Sequence, residues 1–223
     1  MMKEKKQYEQ PCGDNAKRAA APDKKVRVLI AVPTYENCRV ETMKSIFDLN
    51  VPEGVETELE FITGYTVSQA RNRAVALSLE RGFDYTLFVD SDVVLNRDLL
   101  AVLLQMQVPV ATGWYIKKIP GADGITELYS PTSDGKCDLG NIMEKDMPGE
   151  PQVIPVTGCG FGCTLVRNEV FRAMGRSCWF EYIERPGTTC SEDLTFCIKA
   201  RNLRYGIFAH TALRCPHIGR AIW

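Results

Sequence analysis

The chain has 223 residues, of which 45% are hydrophobic and 25% are charged, and its formal net charge is -1. This composition excludes disorder for most of the chain, and the length favours one large α/β domain over two small ones. The balanced charge argues against a generally basic nucleic-acid binder. No apolar run approaches the ~18 residues that a membrane helix needs. The N-terminus lacks the apolar stretch of a signal peptide, so we expect a cytoplasmic protein.

The nine cysteines of the chain form no CxxC pair. With His210 and His217 as the only histidines, the spacing does not favour a zinc site. The odd number of cysteines and the lack of an export signal favour reduced thiols that pack as small apolar side chains.

Residues 1–25 have the character of a solvated tail. They contain seven Lys and Arg against four Asp and Glu, a net charge of +3, and they show no apolar periodicity. The remainder of the chain therefore carries a net charge of -4. We predict a mobile tail followed by one folded domain over residues 26–223.

The first half of that domain alternates strand and helix patterns. Buried apolar runs predict strands, and apolar residues at helical spacing, preceded in one case by the capping residue Asn96, predict helices. The predicted elements are strands over residues 26–32, 58–63, 84–90 and 108–113, and helices over 37–49, 67–81 and 97–106. This order predicts a mostly parallel, Rossmann-like sheet flanked by helices.

The second half breaks this alternation. Residues 117–152 contain nine Pro and Gly residues, which predicts long loops, and we expect them to form a mobile segment that orders over a bound ligand. Two strand segments around a glycine-rich bend follow. Asn168 and Ser191 are then placed to cap a short and a longer helix before a last strand over 206–213.

Polar side chains follow three predicted strands, at the edge where an open parallel sheet binds ligands. They are residues 33–36, residues 63–64, and the Asp-Ser-Asp segment 90–92. Two carboxylates on one short turn repel each other unless a cation joins them, and hard divalent cations prefer oxygen ligands. A pair of ordinary turn acids is an equally good interpretation of this spacing.

Two later segments carry further candidates. Glu192 and Asp193 open a predicted helix, where carboxylates act as capping acids or, in the alternative, as a general base for an acceptor hydroxyl. His217 lies on a loop bounded by Pro and Gly, either as a surface residue or as a ligand that returns to the carboxylates.

Six segments, taken together and in this order, resemble a known family. They are VLIAVPTYE (28–36), SQARNRAV (68–75), LFVDSDVV (87–94), TGCGFGCTLVRNEVF (157–171), SEDLTFCIKARNLRYGIF (191–208) and HIG (217–219). The chain resembles the glycosyltransferase family 2-like enzymes of the GT-A fold, in particular small soluble bacterial or phage members. The resemblance implies a nucleotide-sugar donor, a divalent metal (Mn²⁺ or Mg²⁺) and transfer of the sugar to a hydroxyl acceptor.

The resemblance also implies roles for individual residues. Asp92 matches the main metal ligand of the family's DxD motif, and Asp90 matches a residue nearer the ribose or a metal-bound water. His217 matches a late metal-binding histidine. Asp193 matches the catalytic base, with Glu192 as its rival, in a reaction that we expect to invert the anomeric carbon.

Eleven residues are expected to contact the nucleotide-sugar. Arg71 matches a helix residue that faces the nucleotide, although an outward surface arginine fits the pattern too. Trp114 and Tyr115 are placed either to stack on a sugar or to pack in the core, and Gly158 and Gly160 either to floor the acceptor side or to form a tight bend. The eleven are Pro33, Thr34, Tyr35, Glu36, Thr63, Arg71, Asp90, Ser91, Trp114, Gly158 and Gly160.

Two departures from the family pattern bear on the expected donor and on the expected class of enzyme. Ile62-Thr63-Gly64-Tyr65 replaces the usual acidic end of the second strand, so we expect recognition of the base to differ from the family's usual recognition of uridine. The expected donor is a UDP- or GDP-sugar, with a weak preference for UDP. The chain has no QxxRW motif, which argues against a processive membrane synthase. We divide the domain into a nucleotide-binding half, 26–116, and an acceptor half, 117–223.

Two other classes of function remain as alternatives. A sugar-nucleotide nucleotidyltransferase shares this architecture, but residues 33–39 lack the glycine-rich loop that binds its triphosphate. A non-catalytic nucleotide-sugar-binding module would not need Asp90, Asp92, Asp193 and His217 together. The acceptor is expected to be a glycan or small molecule, with a modified DNA base as the minority alternative because the domain is net acidic.

Overall fold

The structure, a computed structural model, describes residues 25–118, 124–131, 139–175, 178–185 and 188–219. The predicted tail lies outside these residues except for Lys25. Residues 119–123 and 132–138 of the predicted loop region also lie outside them.

The described residues form five α-helices and twelve strands. The strands are β1 (Val26–Pro33), β2 (Val55–Ile62), β3 (Tyr85–Val89), β4 (Val110–Trp114), β5 (Ile125–Pro131), β6 (Leu139–Met143), β7 (Val153–Val156), β8 (Gly158–Cys159), β9 (Cys163–Arg167), β10 (Ile183–Arg185), β11 (Thr188–Cys190) and β12 (Ile207–Arg214). The helices are α1 (Val40–Phe47), α2 (Val67–Glu80), α3 (Leu99–Gln105), α4 (Asn168–Met174) and α5 (Glu192–Asn202).

A seven-stranded sheet with the order β2-β1-β3-β9-β4-β12-β7 forms the centre of the fold and confirms the α/β class. The expectation of a mostly parallel sheet needs correction. Five strands run in the same direction, but β9 pairs antiparallel with both β3 and β4, and β7 pairs antiparallel with β12. The sheet is therefore mixed, because β9 is inserted between two strands that the β-α-β alternation places side by side.

The local sequence explains why the first elements form where they do. Residues 28–32 of β1 are buried, as a continuous apolar run in a sheet covered on both faces requires. Helix α2 begins at a capping box of Thr66 and Gln69 and ends before Gly82, whose φ of +70° favours glycine. The C-terminal end of β1 and the N-terminal end of α2 lie at the same edge of the sheet, where the polar segments also lie.

The prediction of loops throughout residues 117–152 is wrong for part of this region. Strand β5 pairs with β6 and β8 in a three-stranded antiparallel sheet. Along β5, Thr126 and Leu128 are buried and alternate with residues that are partly exposed. The period of two that marks a strand is present in the sequence, but the surrounding Pro and Gly residues mask it.

Five buried phenylalanines form an aromatic cluster that includes Phe88 of β3. Phe88 of β3 packs edge-to-face against Phe161 and Phe180, with ring centroids 5.4 Å apart in both pairs. Phe171 of α4 and Phe196 of α5 complete the group, at a centroid distance of 5.5 Å from each other. All five side chains are fully buried, so α4, α5 and the bend before β9 are held in fixed positions against β3.

Among the helices within the described ranges, none combines the length and apolar character needed to cross a membrane.

Candidate active site

A cavity of about 500 Å³ opens beyond the carboxyl ends of β1, β3 and β4. It brings together residues that are far apart in the sequence, since its walls come from the strand ends, from the start of α5 and from the loop after β12. The predicted residues that line it are Pro33, Arg71, Asp90, Ser91, Asp92, Glu192, Asp193 and His217.

Asp92 and His217 form a pair on one side of this cavity. The Nε2 atom of His217 lies 3.3 Å from Oδ1 of Asp92, and its Nδ1 atom lies 3.0 Å from the carbonyl oxygen of Ile116. The backbone carbonyl fixes the orientation of the ring, as it does for histidines that bind metals through the other nitrogen. The antiparallel bridge between Val93 and His217 brings the histidine loop to the end of β3.

Lys118 adds a positive charge to the same carboxylate. Its Nζ atom contacts Oδ2 of Asp92, whereas His217 contacts Oδ1. Burial raises the pKa of Asp92, but the hydrogen bonds and charges of His217 and Lys118 outweigh burial and lower it to about 2. The carboxylate is therefore ionised at neutral pH, and each of its oxygens contacts a basic side chain.

The donor atoms at this point suit a divalent ion only in part. A carboxylate oxygen and an imidazole nitrogen are ligands that Mn²⁺ accepts. No group of three or more His, Cys, Asp or Glu side chains in the described part of the chain is arranged to hold a metal ion. Two protein ligands leave most of a six-coordinate shell open, and diphosphate oxygens are suited to complete it.

Arg71 is the centre of a second charged group and is not on the surface. Its side chain is 2% exposed and faces the rings of Phe161 and Phe180. The guanidinium bonds Asp90 Oδ1 at 2.9 Å and Glu192 Oε1 at 2.7 Å, and it also contacts Asp193. The interpretation as an outward arginine is therefore wrong.

This arrangement keeps the guanidinium charged. Burial lowers the pKa of Arg71, but the carboxylates of Asp90 and Glu192 outweigh burial and raise it above its usual value. The single cation thus joins the end of β3 to the start of α5. Asp90, predicted as a metal or ribose ligand, is directed at Arg71 and not at the pair of Asp92 and His217.

The two candidate bases differ in access to the cavity. The side chain of Glu192 is 5% exposed, whereas that of Asp193 is 19% exposed. The backbone N–H of Phe161 donates to Asp193 Oδ2 at 3.3 Å and fixes its orientation. Ser191 caps the helix as predicted, by accepting from the N–H of Leu194. Both carboxylates line the cavity, and Asp193 is the more exposed of the two.

A smaller groove of about 160 Å³ adjoins the cavity at Pro33 and Val67. Thr34 and Tyr35 line it together with Tyr65 from the end of β2. Glu36 and Thr63, both predicted to contact the nucleotide, are exposed and line neither the groove nor the cavity.

A larger groove of about 630 Å³ borders Ser91 and Asp92 on the side of α1. Asp90, Glu192 and Asp193, which contact Arg71, do not line this groove, and neither does His217. The cavity of about 500 Å³, where Asp92, His217 and Asp193 occur together, is therefore the candidate active site.

The prediction that Trp114 stacks on a ligand is not supported by its position. Trp114 is 6% exposed, its Nε1 donates to the carbonyl oxygen of Thr211 at 2.7 Å, and it does not line the cavity. Tyr115 lines the cavity instead, because consecutive side chains of a strand point to opposite faces. Its hydroxyl accepts from the N–H of Gly162 at 3.0 Å.

Gly158 and Gly160 permit close packing behind the cavity and do not line it. A Cβ atom on Gly158 would lie 2.7 Å from a methyl group of Leu194. The two glycines therefore allow this segment to approach α5 and Tyr115 closely, which is a packing role.

Gly160→Ala is expected to destabilise the fold by about 1–3 kcal/mol, the usual range for overpacking. The added Cβ would lie 2.2 Å from the Tyr115 hydroxyl oxygen and 3.0 Å from the Cβ of Glu127. Urea unfolding measures the loss. Gly149→Ala is the matched control, since a Cβ there meets no described atom within 4 Å and its stability should match that of the parent. Equal stabilities for both variants would contradict this packing.

Besides Val67, four residues with polar side chains that the sequence interpretation did not assign to the site line the cavity: Lys117, Glu127, Tyr129 and Tyr182. Glu127 and Tyr129 occupy alternate positions on β5, so recognition of that strand in the sequence would have placed both on one face. Tyr182 is half exposed. Burial, together with a hydrogen bond to Glu192, raises its pKa to about 12.

Comparison with known proteins supports the fold. No protein-family model matches the chain, and no curated protein matches it. Among solved structures, the chain is similar to A197 from STIV, with a TM-score of 0.58 and 21% sequence identity over 87% of this chain and 86% of that chain. At this level of identity the similarity shows a shared α/β fold alone.

Proposed function

We propose that the chain is a metal-dependent glycosyltransferase of the GT-A fold that moves a sugar from a nucleotide-sugar to a hydroxyl acceptor with inversion. The observation that carries the proposal is the cavity itself. It holds a carboxylate and an imidazole of the kinds that divalent cations accept as ligands, Asp92 and His217, and a separate, partly exposed carboxylate, Asp193. Transfer to a hydroxyl needs both functions in one site, since the leaving diphosphate gains negative charge while the hydroxyl loses a proton.

Asp193 is the proposed general base. A sugar hydroxyl is a weak nucleophile at neutral pH, and a positioned carboxylate that accepts its proton lowers the barrier. Asp193 suits this role because it is accessible and because the N–H of Phe161 and the contact with Arg71 fix its orientation. Glu192 is bound by Arg71 in the interior and holds the guanidinium in place.

Asp92 and His217 are the residues that would hold the divalent ion. When bound, Mn²⁺ or Mg²⁺ supplies positive charge for the departing diphosphate. Lys118, which contacts the same carboxylate, adds a second positive charge to this side of the cavity. No protein acid is required for the leaving group in this scheme.

The groove beside Pro33 is the proposed position of the nucleobase. Two tyrosines, Tyr35 and Tyr65, give it aromatic walls, and it joins the cavity at Pro33 and Val67. Its described lining residues include no carboxylate. A UDP- or GDP-sugar is the proposed donor, with stacking as the main source of affinity for the base.

A donor panel tests the proposed function. The purified chain is incubated with Mn²⁺, a mixed set of sugar and glycoside acceptors, and UDP- and GDP-sugars, and released nucleoside diphosphate is measured. Release of free nucleoside diphosphate together with a glycosylated product supports a transferase. A parallel incubation contains nucleoside triphosphates and sugar phosphates, and release of pyrophosphate there would indicate a nucleotidyltransferase. Binding of a nucleotide-sugar without turnover in either incubation would indicate a binding module.

Asp92→Asn tests the coupling between metal and nucleotide. We expect weaker UDP or GDP binding by this variant in Mn²⁺ and little change in EDTA, because the lost carboxylate acts through the ion. Isothermal titration calorimetry in the two buffers measures the difference. Asp98→Asn, at the start of α3 and away from the cavity, is the control. An affinity of the parent chain that is the same in Mn²⁺ and EDTA would contradict the coupling.

A further inference from the structure

A polar triad forms one wall of the cavity and has no role in the chemistry described above. Tyr129 donates its hydroxyl hydrogen to Glu127 Oε2 at 2.9 Å, and Lys117 Nζ lies 2.8 Å from the Tyr129 hydroxyl oxygen. Lys117 is also 3.6 Å from the same Oε2 atom and stands over the Tyr129 ring at 4.8 Å from its centroid. All three side chains line the cavity.

The triad is held rigidly by its backbone. The N–H of Glu127 donates to the carbonyl oxygen of Tyr115 at 2.9 Å, and the Glu127 carbonyl accepts from the N–H of Gly160 at 2.8 Å. These bonds connect β5 to the end of β4 on one side and to the glycine bend on the other. The side chains of Lys117 and Glu127 are 17% and 25% exposed, so both are largely removed from solvent but still reach the cavity.

The chemistry of the triad suits a ligand with several hydroxyl groups. Both contacts to Glu127 are made at Oε2, and a carboxylate has about four acceptor positions, so capacity remains to accept hydrogen bonds from a ligand. The Lys117 ammonium has three hydrogens to donate. Burial and the adjacent Glu127 carboxylate raise the pKa of Tyr129, so its hydroxyl stays protonated. A fixed donor next to a fixed acceptor matches neighbouring hydroxyls on a sugar ring.

The position of the triad favours the donor side of the site. The segment that carries Lys117 also provides the Ile116 carbonyl that orients His217, and Lys118, which contacts Asp92. The triad is thus adjacent in the chain to the groups that would face the diphosphate. In an in-line displacement, the transferred sugar lies between the diphosphate and the general base.

We infer that Lys117, Glu127 and Tyr129 bind the hydroxyl groups of the transferred sugar and select which nucleotide-sugar is used. The inference rests on the proposed function and adds to it the residues that determine sugar specificity. It predicts that the triad contributes to the affinity for a nucleotide-sugar but not to the affinity for the nucleoside diphosphate alone.

The test compares these two ligands on matched variants. Affinities of UDP, UDP-glucose, UDP-galactose and UDP-N-acetylglucosamine, and of GDP and GDP-mannose, are measured by calorimetry in Mn²⁺ for the parent, Glu127→Gln and Tyr129→Phe. Tyr129→Phe keeps the ring and serves if Glu127→Gln folds poorly, which circular dichroism will show. Glu60→Gln is the control, since Glu60, like Glu127, is paired with a basic side chain, here Arg81, but lies on β2 away from the cavity.

For the nucleotide-sugar that the parent binds best, we expect both triad variants to lose affinity by about tenfold or more, as for hydrogen bonds to a charged group. Binding of the matching UDP or GDP should remain unchanged, and Glu60→Gln should change neither. An equal loss for nucleoside diphosphate and nucleotide-sugar, or no loss for either, would overturn the inference. If the parent bound neither UDP nor GDP, the proposed function would fail first and the inference with it.

Discussion

Asp193→Asn is expected to reduce sugar transfer by about 10²–10⁴-fold, the usual contribution of a positioned general base. The binding of the nucleotide-sugar should change little, because the carboxylate acts on the acceptor hydroxyl mainly in the transition state. Initial rates with the donor and acceptor identified by the panel, together with the Kd of the donor, measure the two effects separately.

Glu192→Gln provides the comparison within the same turn of α5. Glu192 is buried against Arg71, so this variant should lose stability but keep more transfer activity per folded molecule than Asp193→Asn. The anomeric configuration of the product, determined by NMR, is a second check. Full activity of Asp193→Asn, or a product that retains the configuration of the donor, would rule out Asp193 as the base of an inverting reaction.

Arg71→Met is expected to give the largest loss of stability, about 3–5 kcal/mol, because removal of one partner leaves buried charges without compensation. Here three carboxylates, Asp90, Glu192 and Asp193, would lose the same cation. Methionine keeps much of the side-chain volume, so the effect reports on charge more than on a cavity. The free energy of unfolding in urea is the measurement.

Arg81→Met is the matched control, because Arg81 pairs with two carboxylates on the surface, Glu58 and Glu60. Exposed ion pairs contribute little to stability, so this variant should unfold close to the parent. Arg71→Lys should recover only part of the loss, since an ammonium cannot reproduce the planar fork that reaches several carboxylates. Similar stabilities of Arg71→Met and Arg81→Met would show that the buried cluster does not stabilise the fold.

The elements that the sequence predicted well are those whose pattern is local. Strand β1 is a continuous apolar run, and α2 has a capping box and a terminal glycine, so each can be identified without knowledge of its neighbours. The position of β9 between β3 and β4 depends on pairing between distant segments, which periodicity does not encode. Strand β5 was missed because its short alternating pattern lies among Pro and Gly residues.

The residues of the candidate site also divide into those that a local pattern identifies and those whose position depends on contacts between distant segments. Asp92, His217 and Asp193 were candidates because they follow a strand, lie in a loop and open a helix, but these positions left turn, surface and capping roles open. The family resemblance gave their expected roles, and the structure brings all three into one cavity. Trp114 and Tyr115 were both candidates to stack on a sugar, and only Tyr115 lines the cavity, because neighbouring side chains at the end of a strand point to opposite faces. The burial of Arg71 beneath three carboxylates could not be predicted, since it requires the spatial relation of α2, β3 and α5.

The insertion of β9 between β3 and β4 affects when the central sheet can form during synthesis of the chain. Strands β3 and β4 leave the ribosome well before Cys163–Arg167, the segment that joins them, so both present unpaired edges during synthesis. The middle of the sheet closes only by contact between distant segments, which slows folding. A nascent chain that ends after β4 therefore has the Asp-Ser-Asp turn but lacks β9, the strand that joins β3 to β4 in the finished sheet.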